Sequence, residues 1–301
     1  GSQPRTDQQP HQEAEQGDLR RLHGNSVRAA RRTTLRAVLA PTSGASLFTG
    51  AALSVNLRWR ESLGRLASAG RQHTKGIGMR EVFHQSLEDV QNRLVEISGM
   101  VTTAIEKATT AFKTSDVALA EEVIAADAEI DDKAHELDEI AIEIMARQQP
   151  VARDLRIVVM ALRVSASLER MGDIAEHIAQ LTRLRFPERA IPSGLKSTFQ
   201  KMGELDVEAA RKLTQLLDTE DLALADQIRD IDDQVDDLHV SVFEKVLSDS
   251  WSGEPAQTVD ATLASRYHER FVDHAVSVAK KVQYLAEGGE FYASDGTATG
   301  E

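Results

Sequence analysis

The chain has 301 residues, of which 41% are hydrophobic and 28% are charged, a balance typical of a globular protein. Cysteine is absent, which excludes disulfides, thiolate catalysis and metal sites with cysteine ligands. The formal net charge is −13, with about +7 in residues 1–78 and about −20 in the remainder. Because an acidic body repels nucleic-acid phosphates, we expect no nucleic-acid partner for it. Since cysteine is absent, any metal site must use Asp, Glu and His.

Residues 1–78 differ in character from the rest of the chain. They are rich in Arg, Ser, Gly, Ala and Thr, have no Met before Met79, and keep neither a helical nor a strand period. Gly1-Ser2 resembles the remnant of a cleaved tag. We therefore expect a disordered extension, either tag-derived or upstream sequence that is not normally translated. Contact of this basic stretch with nucleic acid or anionic lipid is the alternative. Residues 290–301 are expected to form a flexible tail.

Six helices are predicted from residue 79 onward, because apolar residues recur at steps of three to five and no segment alternates with period two. The first half (79–187) contains helices over 81–112, 115–147 and 152–186. After a linker with two prolines, the second half (193–289) contains helices over 195–217, from a cap at Asp218 or Thr219 to 247, and from Pro255 to about 288. The sequence therefore predicts an all-α protein.

The two halves resemble copies of each other. DAEIDD at 127–132 corresponds to DDQVDD at 232–237, and ERMGD at 169–173 corresponds to ERFVD at 269–273. Each pair lies on the corresponding helix, the second or third of its half. This repetition predicts two pseudo-symmetric three-helix bundles.

The repeated acidic residues are candidate metal ligands. Two carboxylates four residues apart project from one helix face, where they repel each other unless a cation binds between them. The neighbouring helix of each bundle adds one more acid. The predicted ligands are Glu169, Asp173 and Asp131 in the first half, and Glu269, Asp273 and Asp236 in the second.

Two further points remain open from the residues alone. His177, His268 and His274 lie near these acids in sequence and could each add a ligand. Alternatively, Arg170 and Arg270 could pair with the acids, which would then be ordinary ion-pair partners.

Several longer motifs resemble those of the PhoU family of bacterial phosphate-signalling proteins, in particular its actinobacterial members. These motifs are QPVARDLR at 149–156, LERMGDIA at 168–175, YHERFVDHA at 267–275 and VQYLAEG at 282–288. The resemblance covers about residues 79–289. The second repeat departs from the family pattern at Val272, where the first repeat has Gly172. We therefore expect the acidic group of the second repeat to be more crowded.

The resemblance implies a cytoplasmic, non-enzymatic negative regulator of the phosphate-starvation regulon. Such a protein links the ATPase or permease of a phosphate ABC transporter to a sensor histidine kinase, forms a homodimer, and reaches the membrane only through these partners. It also implies that the two acidic repeats bind metal ions such as iron, zinc or manganese. The alternative is a metal-dependent enzyme or metal store built on a helical bundle, although no nucleophile motif or phosphate-binding loop occurs in the sequence.

Overall fold

A computed structural model describes residues 77–287, and every long element in this range is an α-helix. The helices are α1 (Ile77–Thr114), α2 (Val117–Gln148), α3 (Arg153–Arg185), α4 (Lys196–Thr219), α5 (Ala223–Val246) and α6 (Pro255–Glu287), with a short 3₁₀ turn at Ser193–Leu195. The predicted fold class is confirmed. The predicted extension and tail lie outside the described residues, except that α1 begins two residues inside the predicted extension.

Two groups of three helices build the molecule. Helices α1, α2 and α3 pack on one another as a first bundle, and α4, α5 and α6 do the same as a second bundle. The bundles are joined along two seams, α1 on α4 and α3 on α6, so that one continuous apolar core runs through both. None of the helices within 77–287 is both long and apolar enough to cross a membrane.

The seam between α1 and α4 depends on small side chains. A Cβ at Gly203 would lie 3.1 Å from the Cβ of Thr109, so the two helices cross almost in backbone contact. Further along, the hydroxyls of Ser98 and Thr214 are 2.7 Å apart and share a hydrogen bond across the seam. Because these two hydroxyls bond to each other across the helices, the buried hydroxyl of Ser98 is satisfied within the seam.

Two helix boundaries show how local chemistry ends one helix and starts the next. Asp116 is the N-cap of α2, as its side chain accepts a hydrogen bond from the N–H of Leu119 at 3.0 Å. The predicted cap of α5 at Asp218 or Thr219 is wrong. Helix α4 continues through both residues to Thr219. Glu220 follows as its C-terminal cap, adopts a left-handed conformation (φ 55°) and donates its N–H to the carbonyl of Leu216.

Replacing Glu220 by Gly should raise the free energy of unfolding by about 1 kcal/mol at pH 8, because a left-handed conformation is unstrained only for glycine. Burial also raises the pKa of Glu220 to about 7, against the opposing effect of nearby Arg153, and the substitution removes this partly buried carboxyl. Urea unfolding measures the change. The control is Glu204→Gly on the exposed face of the same helix, which should lower stability by about 1 kcal/mol. A loss of stability in the Glu220 variant would contradict the prediction.

Candidate metal centre

Three aspartates from two packed helices form an acidic cluster in the first bundle, hereafter the first acidic cluster. Asp127 and Asp131 lie one turn apart on α2, and Asp173 lies on the facing side of α3. One carboxylate oxygen from each lies within 4.8 Å of the other two, and all three residues are partly buried. Among residues 77–287 no other three histidines or acids approach one another so closely. Several carboxylate oxygens at this spacing suit a hard cation or iron.

The electrostatics of Asp127 fit a missing positive charge. Burial, together with the negative charges of Asp131, Glu176, Asp173 and Glu169, raises the pKa of Asp127 to about 7. Its Oδ1 atom is buried and has no hydrogen-bond partner among the described residues. A buried, unpartnered carboxylate oxygen is costly, and a bound cation would satisfy it. The residues present therefore fit a metal ion.

A glycine allows this carboxylate to lie where it does. A Cβ at Gly172 would be 3.1 Å from Oδ1 of Asp127 and 3.2 Å from Cγ2 of Ile130, closer than most real contacts of a methyl group. Gly172 thus lets α2 approach α3 beside Asp173. This approach of a carboxylate to the helix backbone explains why the ERMGD motif has a glycine at its fourth position.

Glu169 and Arg170 flank the first acidic cluster. Glu169 is close enough to raise the pKa of Asp127 but lies outside the group of three. Arg170 donates from Nη1 to Oδ2 of Asp173 at 2.6 Å, so the ion pair considered as an alternative is present in the first bundle. Its guanidinium is mostly exposed, which leaves it able to swing away when a cation takes its place. His135 also lies nearby, with Nδ1 2.8 Å from the carbonyl oxygen of Asp131.

The corresponding residues of the second bundle are arranged differently. Asp236, Glu269 and Asp273 lie close enough to influence one another, since burial first, then Asp273 and Asp236, raise the pKa of Glu269. They do not form a tight group of three like that of the first bundle, within the part of the chain that the structure describes. Arg266, not Arg270, makes the ion pair with Glu269 and lowers that pKa in part.

Val272 accounts for part of this difference. It is fully buried at the position of Gly172, so a side chain occupies the place where Oδ1 of Asp127 approaches the α3 backbone in the first bundle. His239 lies beside the second group, and its pKa is lowered mainly by burial, with Asp236 and Asp273 acting in the opposite direction. The second group therefore differs from the first acidic cluster in its packing, with a buried valine where the first has a glycine.

The three histidines considered as additional ligands are not part of the first acidic cluster. His177 stacks on Tyr267, with the ring centroids 5.2 Å apart, in the seam between α3 and α6. His268 is fully buried and hydrogen-bonded to Asp206 on α4, so its proposed role beside Glu269 is wrong. His274 is half-buried next to Asp273, and its pKa is lowered by burial and by the charge of Arg270.

The structure adds Asp127, His135 and His239 to the predicted residues. A signal for Asp127 is present in the sequence, because it opens the repeated DAEIDD stretch and lies four residues before Asp131. The two histidines have a weaker signal. Each follows the helix-two acid of its bundle by one helical turn, at four residues from Asp131 and three from Asp236.

Known proteins share both the sequence and the fold. A profile of the PhoU domain matches twice, at residues 94–182 and 199–282, one match in each bundle. The chain is 39% identical over 210 residues to "Phosphate-specific transport system accessory protein PhoU homolog 2" of Mycobacterium tuberculosis, covering 70% of this chain and 99% of that one. It is 36% identical over 222 residues to "PhoU homolog 1" of Mycobacterium leprae, covering 74% and 99%. The crystal structure of PhoU from Pseudomonas aeruginosa superposes with a TM-score of 0.63 at 27% identity, covering 69% of this chain and 100% of that one. The expected resemblance to actinobacterial members is confirmed.

Proposed function

The chain belongs to the PhoU family, and from this premise we propose that it regulates phosphate homeostasis as an accessory protein of a phosphate-specific transport system. In this role it represses the phosphate-starvation regulon when phosphate is plentiful, by linking the ATPase or permease of a phosphate ABC transporter to a sensor histidine kinase. The observation that carries the proposal is the PhoU match in both bundles, together with relatives named as accessory proteins of phosphate-specific transport. The proposed adaptor is a cytoplasmic homodimer without catalytic activity.

One exposed apolar face suits an adaptor. Val240, Phe243 and Leu247 follow one another at helical steps along α5 and its C-terminal cap, and they are 51%, 36% and 80% exposed. Apolar side chains aligned at this spacing are the kind of surface on which a partner helix docks. An exposed apolar surface of this kind is expected for a protein that acts by binding a partner rather than by catalysis.

A pull-down with purified transporter ATPase and sensor kinase, at high and low phosphate, tests the adaptor role. We expect capture of both partners at high phosphate, with binding weakened by Val240→Glu combined with Leu247→Glu. Leu184→Glu, which changes an equally exposed leucine on α3, is the control and should bind normally. Deletion of the gene should also derepress a phosphate-starvation reporter at high phosphate. No capture together with an unchanged reporter would contradict the proposal, as would turnover of phosphate esters by the purified protein with iron, manganese or zinc.

We also propose that the first acidic cluster binds a metal ion, with iron, zinc or manganese as candidates. Asp127, Asp131 and Asp173 would hold the ion, with Glu169 and His135 as flanking groups. The support is the unpartnered Oδ1 of Asp127 among convergent carboxylates. The second group, Asp236, Glu269 and Asp273, would bind more weakly because its three acids do not converge as closely as those of the first acidic cluster within the described residues.

Gly172→Ala should weaken metal binding at the first acidic cluster by about tenfold, since the new methyl group must push Asp127 and Ile130 away. Stability should change by less than about 1 kcal/mol, because alanine's greater helix propensity offsets the crowding. Competition with a chelator measures the metal affinity. Gly99→Ala is a matched control, since nothing lies within 4 Å of its added Cβ, and it should raise stability without changing metal affinity. Equal metal affinity in wild type and the Gly172 variant would contradict the prediction.

A further inference from the structure

A cavity of about 490 Å³ lies where the two bundles meet, and none of its lining residues belongs to the first acidic cluster. The C-terminal end of α1, the connection after α3 and the first turns of α4 and α6 form its walls. Its volume falls in the range typical of small-molecule sites. Three of the polar residues in its wall are positively charged, which is unusual for a protein with an excess of acidic residues.

Lys113, Arg189 and Lys196 line this cavity, hereafter the basic cavity, and none of the three makes an ion pair within residues 77–287. Elsewhere, many Arg and Lys side chains pair with a carboxylate, as Lys107 does with Glu122 at 2.9 Å. Three unpaired cations around one cavity repel one another. Three cations around one cavity, in a chain of net charge −13, favour an anionic ligand at this place.

One acid lies in the wall of the basic cavity, and a second lies next to the wall. Glu188 is the acid of its wall, and it also lies close enough to Arg185 to raise the pKa of that guanidinium. Asp116, next to the wall residue Ser115, accepts the N–H of Leu119 as the cap of α2. The wall of the basic cavity therefore carries three cations and one carboxylate, and its net charge is positive.

Neutral hydrogen-bond donors complete the wall. The hydroxyls of Ser115 and Ser193 have no hydrogen-bond partner among the described residues, and both face the basic cavity. Gln257 accepts the N–H of Glu254 through Oε1 at 3.1 Å, which leaves its side-chain NH₂ group to donate. Cations, hydroxyls and an amide NH₂ are groups that donate hydrogen bonds to a phosphoryl group.

We propose that the basic cavity binds a small phosphorylated anion through Lys113, Arg189 and Lys196. The ligand chemistry is a phosphoryl group carrying more than one negative charge, supplied either as an inorganic phosphate species or as a nucleotide. Buried apolar side chains of Phe112 and Ile191 form part of the wall, and they strengthen the interaction by keeping water from one side of the anion. This site goes beyond the proposed adaptor role, and its existence does not depend on that role or on the metal.

Calorimetric titration of the full chain with inorganic phosphate, pyrophosphate, ATP and adenosine tests the proposal. The titrations contain a chelator, so that no anion binds through a metal at the first acidic cluster. We expect pyrophosphate and ATP to bind more tightly than phosphate, adenosine not to bind, and affinity to fall with added salt. Equal affinities for pyrophosphate and ATP would assign an inorganic ligand, whereas tighter binding of ATP would assign a nucleotide.

Three single variants, Lys113→Gln, Arg189→Gln and Lys196→Gln, should each weaken the binding by about tenfold, as expected for a lost hydrogen bond to a charged group. Lys201→Gln is the control, because Lys201 is an exposed, unpaired lysine on α4 outside the cavity. Thermal unfolding verifies that each variant is folded, which is expected because the three side chains are exposed. Absence of binding by any phosphorylated ligand, adenosine binding equal to that of ATP, or unchanged affinity in all three variants would overturn the proposal.

Discussion

Replacing Asp206 by leucine should lower the free energy of unfolding by about 3–5 kcal/mol, the cost typical of breaking a buried polar pair by removing one partner. Asp206 on α4 and His268 on α6 are both fully buried, and Oδ2 of the first is 2.5 Å from Nδ1 of the second. The rings of Phe112 and Phe199 surround the imidazole, with centroids 6.2 and 5.9 Å from its own. Without Asp206, the imidazole would have no polar partner on either nitrogen, since Nε2 already has none among the described residues.

The reciprocal variant, His268→Phe, should be less stable than wild type, and its stability should depend on pH through the carboxyl group of Asp206. Burial raises the pKa of Asp206, and His268 lowers it in part. Removing His268 therefore raises this pKa further, so the folded state holds a proton that the unfolded state has lost. Stability of the variant should fall as pH rises above the ordinary pKa of an aspartate. The double variant, with Leu at 206 and Phe at 268, should be as stable as wild type, because a packed apolar pair replaces both partners.

Urea unfolding of the four proteins between pH 5 and 8 forms a double-mutant cycle. His177→Phe is the control for the loss of an imidazole, because His177 is exposed and stacked on Tyr267, and it should change stability by less than about 0.5 kcal/mol. If each single variant lowers the free energy of unfolding by less than about 1 kcal/mol and the two losses add in the double variant, Asp206 and His268 are not a coupled pair and the prediction is contradicted.

The helices, the all-α class and the two-bundle fold were predictable from the sequence because each depends on local periodicity. The buried pair was not predictable. Asp206 and His268 are 62 residues apart and lie on different helices, so their pairing depends on how α4 and α6 pack. The helical period places Asp206 on the same face as Met202 and Leu213, but it does not identify the residue that satisfies the carboxylate. The end of α4 escaped prediction for a related reason, since a glutamate rarely adopts the left-handed conformation of Glu220.

The candidate metal site was predictable in part. The repeat identified Asp131 and Asp173, because identical spacing in two places indicates a shared role. It did not identify Asp127 as the central group, because the position of Asp127 depends on the close approach of α2 to Gly172, which is a tertiary feature. The same limitation applies to the second bundle. Its motif has the acids of the first, but the pairing of Arg266 with Glu269 and the bulk of Val272 change their surroundings.

Asp127→Asn should lower the metal affinity of the first acidic cluster by about a hundredfold or more, and it should stabilise the metal-free protein. The expected loss of affinity follows because a neutral amide replaces the carboxylate whose Oδ1 has no other partner. The stabilisation follows because the substitution removes one charge from a group of acids that repel one another. Elemental analysis of purified protein and chelator competition measure the metal.

The pH dependence of stability provides an independent measurement on metal-free protein. The folded-state pKa of Asp127 is raised to about 7, so between its ordinary pKa and pH 7 the folded state binds more protons than the unfolded state. The free energy of unfolding should therefore fall as pH rises through this window. Because Asp127 is only partly buried, solvent screening limits the effect to about 1–2 kcal/mol.

In Asp127→Asn this part of the pH slope should disappear. Asp132→Asn is the matched control, since it removes a neighbouring but exposed carboxylate from α2 and should leave both the slope and the metal content unchanged. In the wild type, metal should bind more tightly as pH rises through about 7, because the ion competes with the proton on Asp127. The metal-bound protein should therefore lose less stability with rising pH than the metal-free protein. Equal metal content in wild type and Asp127→Asn, with identical pH slopes, would show that these carboxylates serve only as surface charges and ion-pair partners.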